Sequence, residues 1–160
     1  MVVQKHVDLA PFHYKILGDV SPVIACQLKN IPKFNLDYGS TNALQVEIDK
    51  NNALKTAKNI AKEFGVVIKE FSNTILYPDN GYMSWHTNSN SCGLRLYLNF
   101  SFGHGNEFRY LEDSLVKTSH SPLGCTARVF NITKEPLFWH EVQTKSKMLS
   151  IGFKVDYENC

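Results

Sequence analysis

From Gly65 onward the chain is cut into strand-length pieces, and this constrains its fold more than any other feature of the sequence. Val66–Tyr77, Tyr82–His86, Gly93–Phe102, Asn106–Glu112, Cys125–Ile132, Leu137–Val142 and Met148–Val155 are rich in β-branched and aromatic residues; Leu115–Thr118 is a weaker candidate. Gly, Asn or Pro separates most of them, and Pro78-Asp79-Asn80-Gly81 is a strong turn signal. Residues 48–64 instead have a helical period, with Ala53, Ala57, Ile60, Ala61 and Phe64 on one face and Gly65 as a stop. Asp49 sits near the start, where a carboxylate complements the helix dipole. Lys55, Lys58 and Lys62 fall on the opposite face, as a solvated surface requires. One helix followed by about eight short strands predicts an antiparallel sandwich or barrel, whose closure removes exposed edges. Residues 1–47, punctuated by Pro11, Pro22 and Pro32, are expected to form an irregular wrapping segment, with Val20–Cys26 as an edge strand or short helix.

A chain of 160 residues, 43% hydrophobic and 20% charged, suits one globular domain spanning 1–160. A net charge of +2 is too small to argue for nucleic acid or a membrane surface as partner. No apolar run is long enough to span a bilayer, and Met1-Val-Val-Gln-Lys-His6 lacks the apolar core of a signal peptide. The expectation is a cytoplasmic protein. Cys26, Cys92, Cys125 and Cys160 form no Cys-x-x-Cys pair and read as free thiols. The sequons at Asn99 and Asn131 carry little meaning without a secretory signal.

Two histidines stand out by context. His86 ends a short strand and is followed by Thr87-Asn88; His140 closes Leu137-Phe138-Trp139-His140 on a late strand. If the first strand continues, alternation turns Asn88 to the same side as His86. A metal could then take His86 and Asn88 from one strand end and His140 from a strand returning beside it, a facial arrangement that leaves positions open. The competing reading is two unrelated histidines in core or surface. His6, His13, His104 and His120 lie in loops or irregular stretches and read as surface residues.

At this point the sequence resembles the Fe(II)/2-oxoglutarate-dependent oxygenases, in particular their prolyl-4-hydroxylase-like members. Gly81-Tyr-Met-Ser-Trp-His86-Thr-Asn88 is similar to their His-x-Asp strand, and Leu96-Tyr97-Leu98-Asn99 to their Tyr-Leu-Asn strand. Gly105–Tyr110 stands where they have Gly-Gly-x-Thr-x-Phe, and Pro122–Phe130 resembles their Pro-x-x-Gly run with the Gly displaced by one residue. His140 falls where the distal iron ligand is expected, and Lys147–Lys154 resembles the last strand, which binds the distal carboxylate of the cosubstrate. The resemblance covers residues 66–155 and rests on the order and spacing of six pieces. It implies a double-stranded β-helix of the jelly-roll, cupin-like kind, with 66–155 as its core. It also implies Fe(II) held by His86, Asn88 and His140, 2-oxoglutarate and dioxygen as cosubstrates, and hydroxylation of an unactivated C–H bond.

The sequence departs from the family at two places. Asn88 replaces the carboxylate ligand, and Met148 stands where an Arg often precedes Ser150. Three states are open for Asn88: a weak ligand, a place filled by another group, or the mark of a catalytically inactive fold kept for binding or assembly. A cupin-type metal protein using His86 and His140 alone is a further possibility. Strand alternation puts Met148, Ser150, Gly152 and Lys154 on the luminal face, so Lys154 with Ser150 is the expected carboxylate anchor. Tyr97 and Arg95 share a face and are expected to line the cosubstrate pocket, against a reading of packing and a surface ion pair. Arg128 reaches either substrate or solvent. Trp85, Trp139 and Glu141 are expected to face away from the metal, and Asp79 is a candidate rescue ligand. The substrate is a small molecule or a peptide, met by the polar rim loops Asn88–Cys92 and Gly103–Asn106.

Overall fold

The computed structural model describes residues 1–20 and 39–158. Pro22, Pro32, Cys26, Cys160 and most of the Val20–Cys26 run lie outside them. The elements follow in the order β1 (Val2–Val7), β2 (Lys15–Asp19), β3 (Leu44–Glu47), α1 (Lys50–Glu63), β4 (Val66–Tyr77), β5 (Tyr82–His86), β6 (Gly93–Ser101), β7 (Asn106–Glu112), β8 (Leu115–Ser121), β9 (Gly124–Ile132), β10 (His140–Gln143) and β11 (Met148–Tyr157). The strands form two antiparallel sheets in a jelly roll, one ordered β1-β9-β6-β11-β4-β3-β2 and the other β5-β10-β7-β8.

Helix α1 begins where Asp49 caps it, its Oδ1 accepting from the Asn52 N–H at 3.1 Å. It ends at Phe64, and Gly65 takes a φ of +67°, a conformation that suits glycine. Ala53, Ala57, Ile60 and Ala61 are buried against the outer face of the large sheet, where Leu149, Ile151, Phe153, Leu96 and Leu98 meet them. Lys55, Lys58 and Lys62 are exposed. Small alanines let the helix approach the sheet closely and leave the larger aliphatics of β6 and β11 to fill the layer.

Three sequence expectations are corrected. The first 47 residues are not merely irregular: β1 pairs along its whole length with Cys125–Phe130 of β9, and β2 and β3 extend the other edge of the large sheet. Pro11 lies between β1 and β2 rather than in either, so it punctuates the pairing without preventing it. The strand expected at Leu137–Val142 starts at His140, because Lys134 and Leu137 bridge to each other and the chain turns there. Finally, β5 stops at His86. Asn88 adopts a left-handed conformation (φ 52°, ψ 28°) and opens a short 3-10 turn at Ser89–Ser91, which the asparagine side chain tolerates better than most.

The inner face of the large sheet is built in rows by its register. Arg128 of β9 lies opposite Tyr97 of β6, which faces Gly152 of β11 and then Asn73 of β4. The adjacent row runs Thr126, Asn99, Ser150, Ile75. On the other side of the first row lie Phe130, Arg95, Lys154 and Glu70. These luminal rows are unusually polar for the inside of a sandwich, whereas the alternate residues facing α1 are aliphatic.

Candidate functional site

Between the sheets lies a cavity of about 240 Å³. The large sheet contributes Tyr97, Asn99, Arg128, Phe130 and Ser150; the small sheet contributes Met83, His86, Phe108, His140 and Val142; Asn88 reaches in from its turn. Such a volume accommodates a small organic molecule rather than a polymer.

His86 and His140 are register partners on β5 and β10, both buried, with ring centroids 4.2 Å apart. Each ring is held by its own strand. His86 Nδ1–H donates to the Ser84 carbonyl at 2.7 Å, and His140 Nδ1–H to the Phe138 carbonyl at 2.9 Å. Fixing the proton on Nδ1 leaves the Nε2 lone pair available on each ring. Burial pushes His86 down to about 4, with the bond to Ser84 opposing weakly. Burial, and then the neighbouring His86, hold His140 well below the ordinary histidine range. Both imidazoles are therefore neutral at physiological pH. Phe138, Phe108 and Phe130 pack around His140 at ring centroid distances of 5.1, 5.6 and 5.8 Å and keep that side apolar.

Asn88 lies beside the pair despite the end of the strand. Its Nδ2 is 3.4 Å from His140 Nε2, so the amide N–H faces the imidazole lone pair. Among the described residues no third His, Cys, Asp or Glu completes a metal cluster with the two histidines. The donor set is thus two neutral imidazoles and one amide, whose oxygen reaches the same place after a rotation about its last torsion. That set fits a divalent metal with positions left open, and it lacks the negative charge of a carboxylate.

The remaining sequence candidates divide. Ser150 and Tyr97 line the cavity; Ser150 Oγ donates to Asn99 Oδ1 at 2.8 Å, and Tyr97 stacks on Phe130 with centroids 5.6 Å apart. Lys154 does not line it. Alternation places Lys154 on the luminal face, but in the outlying row of which only Phe130 lines the cavity, where its Nζ pairs with Glu70 Oε1 at 2.9 Å and the side chain is 38% exposed. Arg95 is buried in that same outlying row, and its guanidinium donates to Ser91 O, to Ser91 Oγ at 3.0 Å and to Leu94 O, bracing the turn after Asn88. Asp79 accepts from the Lys147 N–H at 2.9 Å, tying the turn after β4 to the start of β11, and does not line the cavity. Glu141 faces the opposite side of the small sheet, as alternation requires, and pairs with Arg109. His6, His13, His104 and His120 are all exposed.

Sequence reasoning left the part played by Arg128 open. It is 2% exposed, lies at the seam between β9 and β8, and stands over the Phe108 ring at 5.0 Å. Its Nε donates to Ser119 Oγ at 3.0 Å, and its Nη2 to Ser121 Oγ at 2.8 Å, Gln4 Oε1 at 3.2 Å and the carbonyls of Ser119 and His120. Every acceptor is neutral. Burial lowers its pKa to about 10, which still leaves it charged at neutral pH. Alternation with Phe130 could have placed Arg128 in the lumen, but its partners on β1 and β8 are invisible to any local pattern.

No protein-family model matches the chain, and no curated protein matches it significantly. Among solved structures it is similar to a Pseudomonas putida prolyl-4-hydroxylase, at 16% identity and a TM-score of 0.48, over 74% of this chain and 73% of that one. It is also similar to a 2OG-Fe(II) oxygenase family oxidoreductase from Burkholderia pseudomallei (13% identity, TM-score 0.46, 72% of this chain and 62% of that one). A third is OsALKBH1, at 14% identity and a TM-score of 0.38, over 66% of this chain and 60% of that one. The chain therefore spans less than two thirds of the latter two structures.

Proposed function

We propose that the protein is a metal-dependent oxygenase of the Fe(II)/2-oxoglutarate kind, acting on a C–H bond of a small-molecule or peptide substrate. The observation that carries this reading is the pair of buried histidines, each with Nδ1 tied to a carbonyl two residues back, on adjacent strands that line one cavity. Bonds of this kind orient imidazoles as metal ligands and raise their donor strength. When bound, iron and 2-oxoglutarate supply the oxidising chemistry. The chain's own part is to hold the metal through His86 and His140, with Asn88 as a neutral third donor. Phe108, Phe130 and Phe138 keep bulk water from that side of His140. Substrate enters past the rim loops around Asn88–Cys92 and Gly103–Asn106.

A second reading, a fold retained for binding without redox chemistry, is favoured by one observation: Asn88 offers an N–H to His140 Nε2 where the family has a carboxylate. Metal binding separates the two. Titration of the metal-free chain with Mn(II), followed by the loss of the free-ion EPR signal, is expected to saturate at one site. His86→Ala and His140→Ala should each abolish it. A wild-type protein that leaves the signal untouched, while folded, would remove the oxygenase reading and leave the binding one.

A further inference from the structure

The luminal cation expected from the sequence, Lys154, is committed to Glu70 outside the cavity. The cavity nevertheless has a cation. Arg128 is buried, lines the lumen and forms no ion pair among the described residues. Its hydrogen bonds to protein leave through Nε and Nη2, and Nη1 makes none. A guanidinium 2% exposed, with no counter-charge among the described residues, is unfavourable unless something anionic meets it. A second buried donor shares the predicament. Asn99 is 3% exposed and lines the same cavity; its Oδ1 is taken by Ser150, and its Nδ2 has no hydrogen-bond partner. In the register of β6 and β9, Asn99 and Arg128 are diagonal neighbours on the luminal face. Buried polar groups are satisfied in folded proteins with few exceptions, and one unmet amide donor beside a guanidinium nitrogen with no protein partner, on two residues lining one cavity, are explained together by one ligand.

We propose that Arg128 is the anion anchor of the lumen, binding through Nη1 the carboxylate of a small organic acid whose polar atoms also accept from Asn99 Nδ2. One guanidinium calls for one carboxylate at this end. The Phe108 and Phe130 rings beside it call for a short carbon chain behind that carboxylate, which then points along the lumen towards the histidine pair. The anchor stands on Arg128 and Asn99 alone. Only the identification of the acid as 2-oxoglutarate rests on the oxygenase reading.

The test is calorimetric titration of the full chain, in EDTA, with 2-oxoglutarate and with succinate. Both acids are expected to bind without metal, and the uncharged dimethyl succinate is not. Arg128→Gln should weaken binding about tenfold or more, because a charge-assisted bond is lost, and Arg128→Lys should recover part of it. Asn99→Asp, which keeps the acceptor for Ser150 but replaces the unmet donor with an anion, should weaken it at least as much. Lys154→Gln should bind as wild type does. If Arg128→Gln does not fold, the ester comparison on wild type and the Asn99→Asp variant still decide the matter. Loss of binding in Lys154→Gln with retention in Arg128→Gln, equal binding of ester and acid, or no binding of either acid in EDTA would overturn the anchor. Acid binding in EDTA that Fe(II) fails to tighten would leave the anchor standing and remove the oxygenase reading.

Discussion

Asn88 is where the chemistry of this site is decided. An amide contributes no negative charge, so a metal bound by His86, His140 and Asn88 is held by neutral donors only. Asn88→Asp restores an anionic oxygen of nearly the same size beside a dication. Metal affinity is expected to rise by roughly tenfold or more, since an added charge–charge contact at this burial exceeds about 1.4 kcal/mol; competition for Mn(II) against a chelator measures it. An unchanged affinity would mean that position 88 does not reach the metal. Away from the site, Cys125 on β9 is 1% exposed, and burial pushes its thiol up to about 12 from an ordinary value of 9.0. With the folded pKa above the unfolded one, the thiol's contribution to stability is complete below about pH 9 and drains away as pH rises towards 12. Urea melts at pH 8 and pH 11 should therefore differ more for wild type than for Cys125→Ala. An equal difference would place the alkaline sensitivity elsewhere.

Among the elements, β11 illustrates how much of this fold could be read and where reading stopped. Alternation placed Leu149, Ile151 and Phe153 against the helix, and they are there, while Met148 and Ser150 face the cavity. What alternation cannot give is depth along a strand. Lys154 is on the luminal face yet in a row of which only Phe130 lines the cavity, because its place is fixed by register with β4 and β6 and by the Glu70 that register brings to it. The helix was legible from its alanine period and the Gly65 stop, and its cap emerged only with the structure. Its stability is local: Asp49→Ala removes the side-chain acceptor for the Asn52 N–H and should cost about 1 kcal/mol. Chemical denaturation of the variant should register that loss while metal and acid binding stay as in wild type. The strands β1, β2 and β3 were not legible, since their apolar pattern is weak and β2 is exposed at every residue, as sheet edges are.

At the scale of the whole molecule, the two sheets bring together residues that no window of sequence holds. His86 meets His140 because β5 and β10 are neighbours, and Arg128 meets Gln4, Ser119 and Ser121 because β1 and β8 flank the seam it closes. The histidine pair was recoverable from the order of motifs along the chain. The proposed anion end of the cavity was not, because Arg128 stands out only by forming no ion pair among the described residues. As proposed above, the lumen binds iron at one end and a small oxo acid towards the other, in a single site. Anaerobic titration of the metal-free protein with Fe(II) and 2-oxoglutarate tests that most directly, because chelation of the acid to the metal gives a visible charge-transfer absorption. A saturable band that requires both components, and that is lost in His86→Ala and His140→Ala, is the expected result; a folded protein that gives no band with both components in excess would contradict it.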